Sequence, residues 1–347
     1  MPSLVSNSML QKMFIPLLLL AFLLPLTATA ATPTQDVALA PDVPSPGSEL
    51  WRAVRRADTN QPPTGVTQIK GVERGILINS AGEDWRNFRM EMLVPTGGIG
   101  FGLVVAALVL FYLIRGRIRI EGGWSGKVVP RFSINHRVAH WSLAILFLYL
   151  GLTGLIMLFG RFALLPVMGS EAFSVLATIS LVSHNWLGPL FPFAILGVVV
   201  LFMKGNGYTY KDIGWFLKGG GMFGGHAPPS DFYNAGEKTW FWLAIFGGLV
   251  ITISGYILDF PIFGQTREVM EVAHIAHAVS AVGLLIASFG HIYIGTAGME
   301  GSIQSMTKGY VDENWAKEHH SIWYDEMKAS GKVYSDVESL KKSNYLS

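Results

Sequence analysis

Four histidines carry the chemistry this chain can do. His277 and His291 lie fourteen positions apart in one apolar run, VAHIAHAVSAVGLLIASFGHIYIG, and His140 and His184 each lie in another. Imidazole is costly in hydrocarbon and is a common axial ligand of heme iron, so four of them on membrane helices suggest two bis-histidine heme b groups. On a helix rising about 1.5 Å per residue, His277 and His291 are separated by roughly 21 Å and point to nearly the same face. A lone histidine on an apolar helix is more often a hydrogen-bonded core residue than a ligand. Two pairs at matching depths argue for ligation.

The elements that must position these rings are membrane helices. Half of the 347 residues are hydrophobic and only 14% are charged, against about 25% in soluble domains, which excludes a water-soluble single domain. A net charge of +2, with basic residues beside apolar runs, sets nucleic-acid binding aside. The absence of cysteine excludes disulfides, iron–sulfur ligation and covalent heme attachment. Apolar stretches at 94–114, 138–158, 177–203, 240–258 and 272–296 are each near the length needed to cross a bilayer. The fold expected is an all-α membrane protein: a transmembrane bundle with a four-helix diheme core at 138–296 and one additional N-terminal span at 94–114.

Residues 1–30 read as a signal peptide, with Lys12, the stretch MFIPLLLLAFLLPL and the small residues Ala28-Thr29-Ala30. The polar segment 31–93 then reads as exported, which puts the 115–137 loop and the 297–347 tail in the cytoplasm. Charge agrees: the 115–137 and 204–239 loops and the tail hold sixteen lysines and arginines, and the two short loops on the other side hold Arg161 and Arg267. This topology places His140 and His291 at the cytoplasmic level and His184 and His277 at the exported level. His136 and His274, each one turn before a proposed ligand, are the competitors; an interfacial role is expected of His136, facing headgroups or a heme propionate.

Small residues flank the proposed sites: Gly151, Gly154, Gly188, Gly247, Gly248, Ala278, Ala281 and Gly283. They would admit a flat macrocycle between helices, though membrane helices also pack closely at small residues without any cofactor. Gly98, Gly100 and Gly102 open a membrane span with no strand before them, so no dinucleotide fingerprint is read there. GGGMFGG at 219–225 lacks the Lys-Ser/Thr of a phosphate loop and, with the following His226, reads as a flexible cytoplasmic turn.

The segments HRVAHW, SHNWLGPLF, FYNAGEKTWFW, HAVSAVGLLIASFGHIYIG and GSIQSMTKGYVDENWAKEHHSIWY span about 131–324, more than half of the chain. They resemble the gamma subunit of respiratory formate dehydrogenase, a diheme cytochrome b, in a long form with a leader and an extra span. The resemblance implies His140 and His291 as ligands of the heme nearer the cytoplasm, and His184 and His277 as ligands of the other. It further implies a quinone site at Asn234, Gly236, Glu237 and His291, although the family often has glutamine where Glu237 stands. Implied partners are a periplasmic iron–sulfur beta subunit and a molybdenum- or tungsten-containing alpha subunit, at a bacterial inner membrane with formate oxidised on another subunit. Three alternatives stay open: the cytochrome b subunit of a nickel–iron hydrogenase or related reductase, a histidine-lined metal-ion transporter, and a structural anchor. The transporter would need carboxylates beside the histidines, and the spans hold almost none.

Overall fold

A computed structural model describes residues 80–222 and 227–343 of the chain. The leader at 1–30, the exported segment up to residue 79 and His226 lie outside the described residues. Five helical stretches are long and apolar enough to cross a membrane: Gly82–Arg115, Ile134–Ala163, Leu165–Phe202, Ala235–Asp259 and Arg267–Gly298. The all-α bundle with one span ahead of a four-helix group is therefore the architecture. Each helical stretch extends beyond its apolar window at one or both ends, because backbone hydrogen bonding continues where the hydrophobic residues stop.

The first span begins well before residue 94. Helix α1 (Ser80–Asn87), a π-helical turn (Phe88–Leu93) and α2 (Val94–Arg115) form one continuous stretch. Gly116, at φ 66°, ends it and sends its N–H to the Tyr112 carbonyl at 2.8 Å. Then come strand β1 (Val128–Pro130), α3 (Ile134–Ala163) and α4 (Leu165–Leu187). At Gly169, φ 79° breaks the first turn of α4, a backbone that glycine adopts without strain. A short 3₁₀ turn at Gly188–Leu190 joins α4 to α5 (Phe191–Phe202), followed by the short α6 (Tyr210–Leu217). The last two spans are α7 (Ala235–Asp259) and α8 (Arg267–Tyr293), the latter prolonged by a π turn over Ile294–Gly298.

Backbone packing divides the bundle. Helix α7 lies along α8, α3 lies along α4 and α5, and α1 and α2 rest on α8. Between α8 on one side and α3 and α4 on the other, contact is made chiefly by side chains. Outward faces are apolar and bare, as at Leu113, Ile114, Val167 and Leu217, which suits lipid and not water.

The tail is a folded cap. Strand β2 (Tyr310–Asp312) pairs antiparallel with β1, and around it stand α9 (Gln304–Thr307), α10 (Glu313–His319), α11 (Ser321–Ala329) and α12 (Val337–Lys342). Its core is Ile120, Val129, Val311, Trp315, Ala316, Trp323, Tyr324 and Met327. A second cluster of Phe132, Phe202, Tyr233 and Phe241 joins the cap to the ends of α5 and α7. Arg137 and Trp141 of α3 donate to the carbonyls of Thr307 and Met306, each at 3.0 Å. One end of the bundle is thus closed by ordered protein.

Candidate functional site: two facing imidazole pairs

The structure brings the four histidines together in two pairs. His140 of α3 faces His291 of α8 with ring centroids 6.2 Å apart, and His184 of α4 faces His277 of α8 at 6.1 Å. The first pair is at the capped level of the bundle and the second about fourteen residues of helix away. A metal–imidazole bond is about 2.0–2.1 Å and the ring centre lies about 1.1 Å further, so two rings clasping one metal ion stand roughly 6.3 Å apart. Both pairs fit a group held between them.

Hydrogen bonds orient the second pair for this. His277 Nδ1 lies 3.0 Å from the Ile251 carbonyl, which can only accept, so Nδ1 carries the proton and Nε2 keeps its lone pair. Ser254 Oγ adds a contact at 3.2 Å. His184 Nδ1 lies 2.8 Å from Thr153 Oγ1, whose own proton is directed at the Tyr149 and Leu150 carbonyls, both 3.0 Å away. The hydroxyl therefore accepts from Nδ1, and His184 too presents a free Nε2. Such outer partners fix the tautomer and raise the basicity of a ligating imidazole.

A cavity of about 420 Å³ opens around this pair, walled by Leu150, Leu155, Leu181 and Leu285, with Gly151, Gly154, Gly188 and Gly255 along its sides. Gly255 was not singled out from sequence: a Cβ there would meet His277 Cε1 at 3.2 Å. Gly188 has open space where a Cβ would be. Gly151 is filled by Leu285, Gly247 faces Leu284 and Gly248 meets Ile195, so these three serve helix packing. Trp85 and Arg89, from α1 and the turn after it, also line the cavity. Trp85 stacks on His274 at 5.1 Å and 12°, and Arg89 donates to the Met157 carbonyl at 2.8 Å. His274 lies at the cavity wall, paired with a tryptophan.

At the capped level His291 stacks on Trp240 of α7, with centroids 4.5 Å apart and planes at 11°. His140 Nδ1 is buried and has no hydrogen-bond partner among the described residues. His136 is spent internally: its Nε2 donates to the Leu201 carbonyl at 3.0 Å and its Nδ1 accepts from Ser133 Oγ at 2.8 Å. It holds α3 to α5, where headgroup or propionate contact was expected from sequence.

Of the residues expected at a quinone site, Asn234, Gly236 and Glu237 sit at the N-terminus of α7 and His291 lies on α8. Asn234 caps the helix, its Oδ1 accepting from Glu237 N at 3.0 Å while Glu237 Oε2 accepts from Asn234 N at 3.0 Å. Trp215 Cη2 would stand 2.8 Å from a Cβ at Gly236, so the indole of α6 requires glycine there. Glu237 is also gripped by Arg131 Nη2 at 3.0 and 3.2 Å. The fully buried Arg131 sits among the rings of Phe132, Phe232, Trp315 and Trp323 at 4.9–5.3 Å. Burial pushes its pKa down, and Glu237 opposes that shift. Next door, Lys238 Nζ and the Asp212 carboxylate form a buried pair at 2.9 Å. Among the described residues no cluster of three or more His, Cys, Asp or Glu is arranged to hold a metal ion.

Apolar spans enclosing two facing imidazole pairs, in a chain with no cysteine to tether heme covalently, define a membrane cytochrome of the b type. The chain belongs to the family described as prokaryotic cytochrome b561, whose model matches residues 131–309. That match takes in all four histidines and α9, and leaves α1, α2 and the cap helices α10, α11 and α12 outside it. Among curated relatives, the cytochrome b556 subunit of the nitrate-inducible formate dehydrogenase of Escherichia coli is 29% identical over 222 residues, 60% of this chain and 97% of that protein. A second cytochrome b556 subunit from the same organism is 27% identical over 204 residues, 58% of this chain and 93% of its own. The formate dehydrogenase cytochrome b556 subunit of Haemophilus influenzae is 30% identical over 200 residues, 55% and 79% respectively.

Proposed function

We propose that this chain is the membrane subunit of a formate dehydrogenase and carries electrons from a periplasmic iron–sulfur subunit to quinone at the cytoplasmic side. His184 and His277 would hold the outer of two heme b groups, and His140 and His291 the inner. Bound there, heme b supplies reversible one-electron transfer. Formate would be oxidised on a molybdenum- or tungsten-containing subunit of the same complex. The observation that carries the reading is the pair of ring separations, 6.2 and 6.1 Å, at two levels of one helix.

The chain's own residues have definite tasks in this scheme. Thr153 and Ile251 keep the Nδ1 protons of the outer histidines turned away from the cavity. Trp240 fixes the plane of His291. Asn234 and Gly236 shape the turn at which quinone would dock, and Glu237 is the carboxylate there that reaches water. Carrying one negative charge inward against 100 mV costs roughly 2.3 kcal/mol, which the membrane would store as potential.

The complex purified from its native membrane tests this. A reduced-minus-oxidised spectrum is expected to show a b-type α band with two hemes per chain, reducible by formate and reoxidised by a quinone analogue. A preparation lacking the band would sink the ligand assignment. A heme reduced by hydrogen and not by formate would move the chain to the hydrogenase alternative.

A finer test addresses the outer site. Thr153→Val keeps the shape of the side chain and removes the acceptor from His184 Nδ1, making the imidazole a poorer electron donor. Potentiometric titration should find the outer heme's midpoint potential raised and the inner one unchanged. Equal shifts in both would contradict the assignment.

A further inference from the structure

His320, on the cap, is wholly buried, and the proposed electron route makes no use of it. Its Nδ1 lies 2.9 Å from the Asp231 carbonyl, an acceptor only, so Nδ1 must carry a proton. Nε2 is then the titrating atom. It is buried with no hydrogen-bond partner, and its polar neighbour is Glu237 Oε2 at 3.7 Å. A neutral imidazole would present a lone pair to a carboxylate, two acceptors face to face with no room for water at Nε2. One proton placed between them would turn that repulsion into a charge-assisted hydrogen bond.

The surroundings keep the proton out at rest. Burial and then the Arg131 charge push His320 well below the ordinary histidine value. Arg131 Nη2 and the Asn234 N–H both donate to the Glu237 carboxylate, so its oxygens already have donors. Other charged or titratable groups around the pair are otherwise engaged. His319, beside it on the cap, is brought down to about 4 by burial, with Arg131 adding to that, and faces Glu318 at 3.7 Å. Burial pushes the Tyr233 phenol up, so it stays neutral. The Asp231 carboxylate pairs with Lys211 at 3.2 Å.

Glu237 joins this cluster to the inner histidine pair. It lies one turn before Trp240 on α7, and Trp240 stacks on His291. Added negative charge at that level would favour uptake of a proton beside it. Glu237 is 38% exposed while His320 is sealed behind it, so water reaches the pair through the carboxylate.

We infer that Glu237 and His320 form a proton-storing pair that takes up one proton from cytoplasmic water for each electron reaching the inner heme site and returns it through Glu237. Uptake forms one N–H or O–H bond and breaks none within the chain, and two such cycles provide the protons that turn quinone into quinol. The inference rests on the heme reading proposed above.

The test is the inner heme's midpoint potential in the purified complex, measured across a range of pH. In the unaltered protein the potential should fall as pH rises, toward about 59 mV per tenfold change in proton concentration for one proton per electron. His320→Leu and Glu237→Gln should each flatten that slope while the α band and heme content persist. His319→Gln, altering the neighbouring ring, should retain it and so controls for disturbance of the cap. A flat response in the unaltered protein, or a slope that survives His320→Leu, overturns the proton-storing pair and leaves the heme assignment standing. Absence of the α band takes both.

Discussion

His277→Ala is expected to lower the heme content of the purified complex from about two per chain to about one, with the reduced-minus-oxidised α band falling by about half. The ring's Nδ1 is anchored on the Ile251 carbonyl and the ring faces His184, while His274 at the cavity wall is stacked on Trp85. A single remaining imidazole in an apolar cavity would retain heme poorly. The heme that survives should be the one between His140 and His291, recognisable because its potential responds to His320→Leu. The mirror change, His291→Ala, should remove that one instead. His136→Ala makes the sharper control. Its two ring nitrogens already bond Leu201 and Ser133, so both hemes should remain. Loss of a heme in His136→Ala with retention in His277→Ala would reassign the ligands.

Lys238→Met is expected to produce the largest loss of stability outside the heme sites, about 3 kcal/mol. The lysine is buried at the start of α7 and donates to both oxygens of Asp212 in α6, at 3.1 and 2.9 Å. Without it a buried carboxylate is left short of its countercharge. Asp212→Asn added to Lys238→Met should recover much of the loss, since an asparagine oxygen can still accept from Thr209 N while carrying no charge. Thermal unfolding midpoints in detergent of the two single variants and the double variant check this, and additive losses would show the pair uncoupled. Acid gives the same test another handle. Burial alone would raise the Asp212 pKa, but the Thr209 N–H and Lys238 together bring it below the ordinary 3.8. A carboxylate depressed on folding contributes stability that is complete above its ordinary value and lost as pH falls through the folded one. The unaltered protein should therefore draw on this pair at neutral pH and lose it only in strong acid.

The ring pairs were legible in the sequence because depth in a membrane is one-dimensional. Alternating the spans in and out assigns each histidine a level, and His140–His291 and His184–His277 are the pairs the structure brings together. Fold class followed from the same apolar runs. What surrounds the rings was far less legible. Gly255 and Thr153 touch histidines on other helices, and no local pattern marks a contact between residues tens of positions apart. The cap was missed for a related reason. Its strands are three residues each and pair across the whole bundle, leaving only a polar tail to read. Arg131 looked like one more charge on the positive side of a membrane, whereas it is buried among four aromatic rings, two of them from the tail. His136 shows the limit most plainly, since its place one turn from His140 says nothing of the carbonyl it bonds on α5.

The pairing of Val128 with Asp312 sets a constraint on biosynthesis. Every helix from α3 to α8 lies between these two residues in the chain, so the cap cannot close until the last span has left the ribosome and been inserted. Until then Arg131 lacks Trp315 and Trp323, and His320 does not yet stand beside Glu237. Closure of the β1–β2 ribbon is thereby a report that insertion is complete, and a nascent chain stalled before residue 310 would display an uncovered arginine and carboxylate by which quality control could tell it from a finished one.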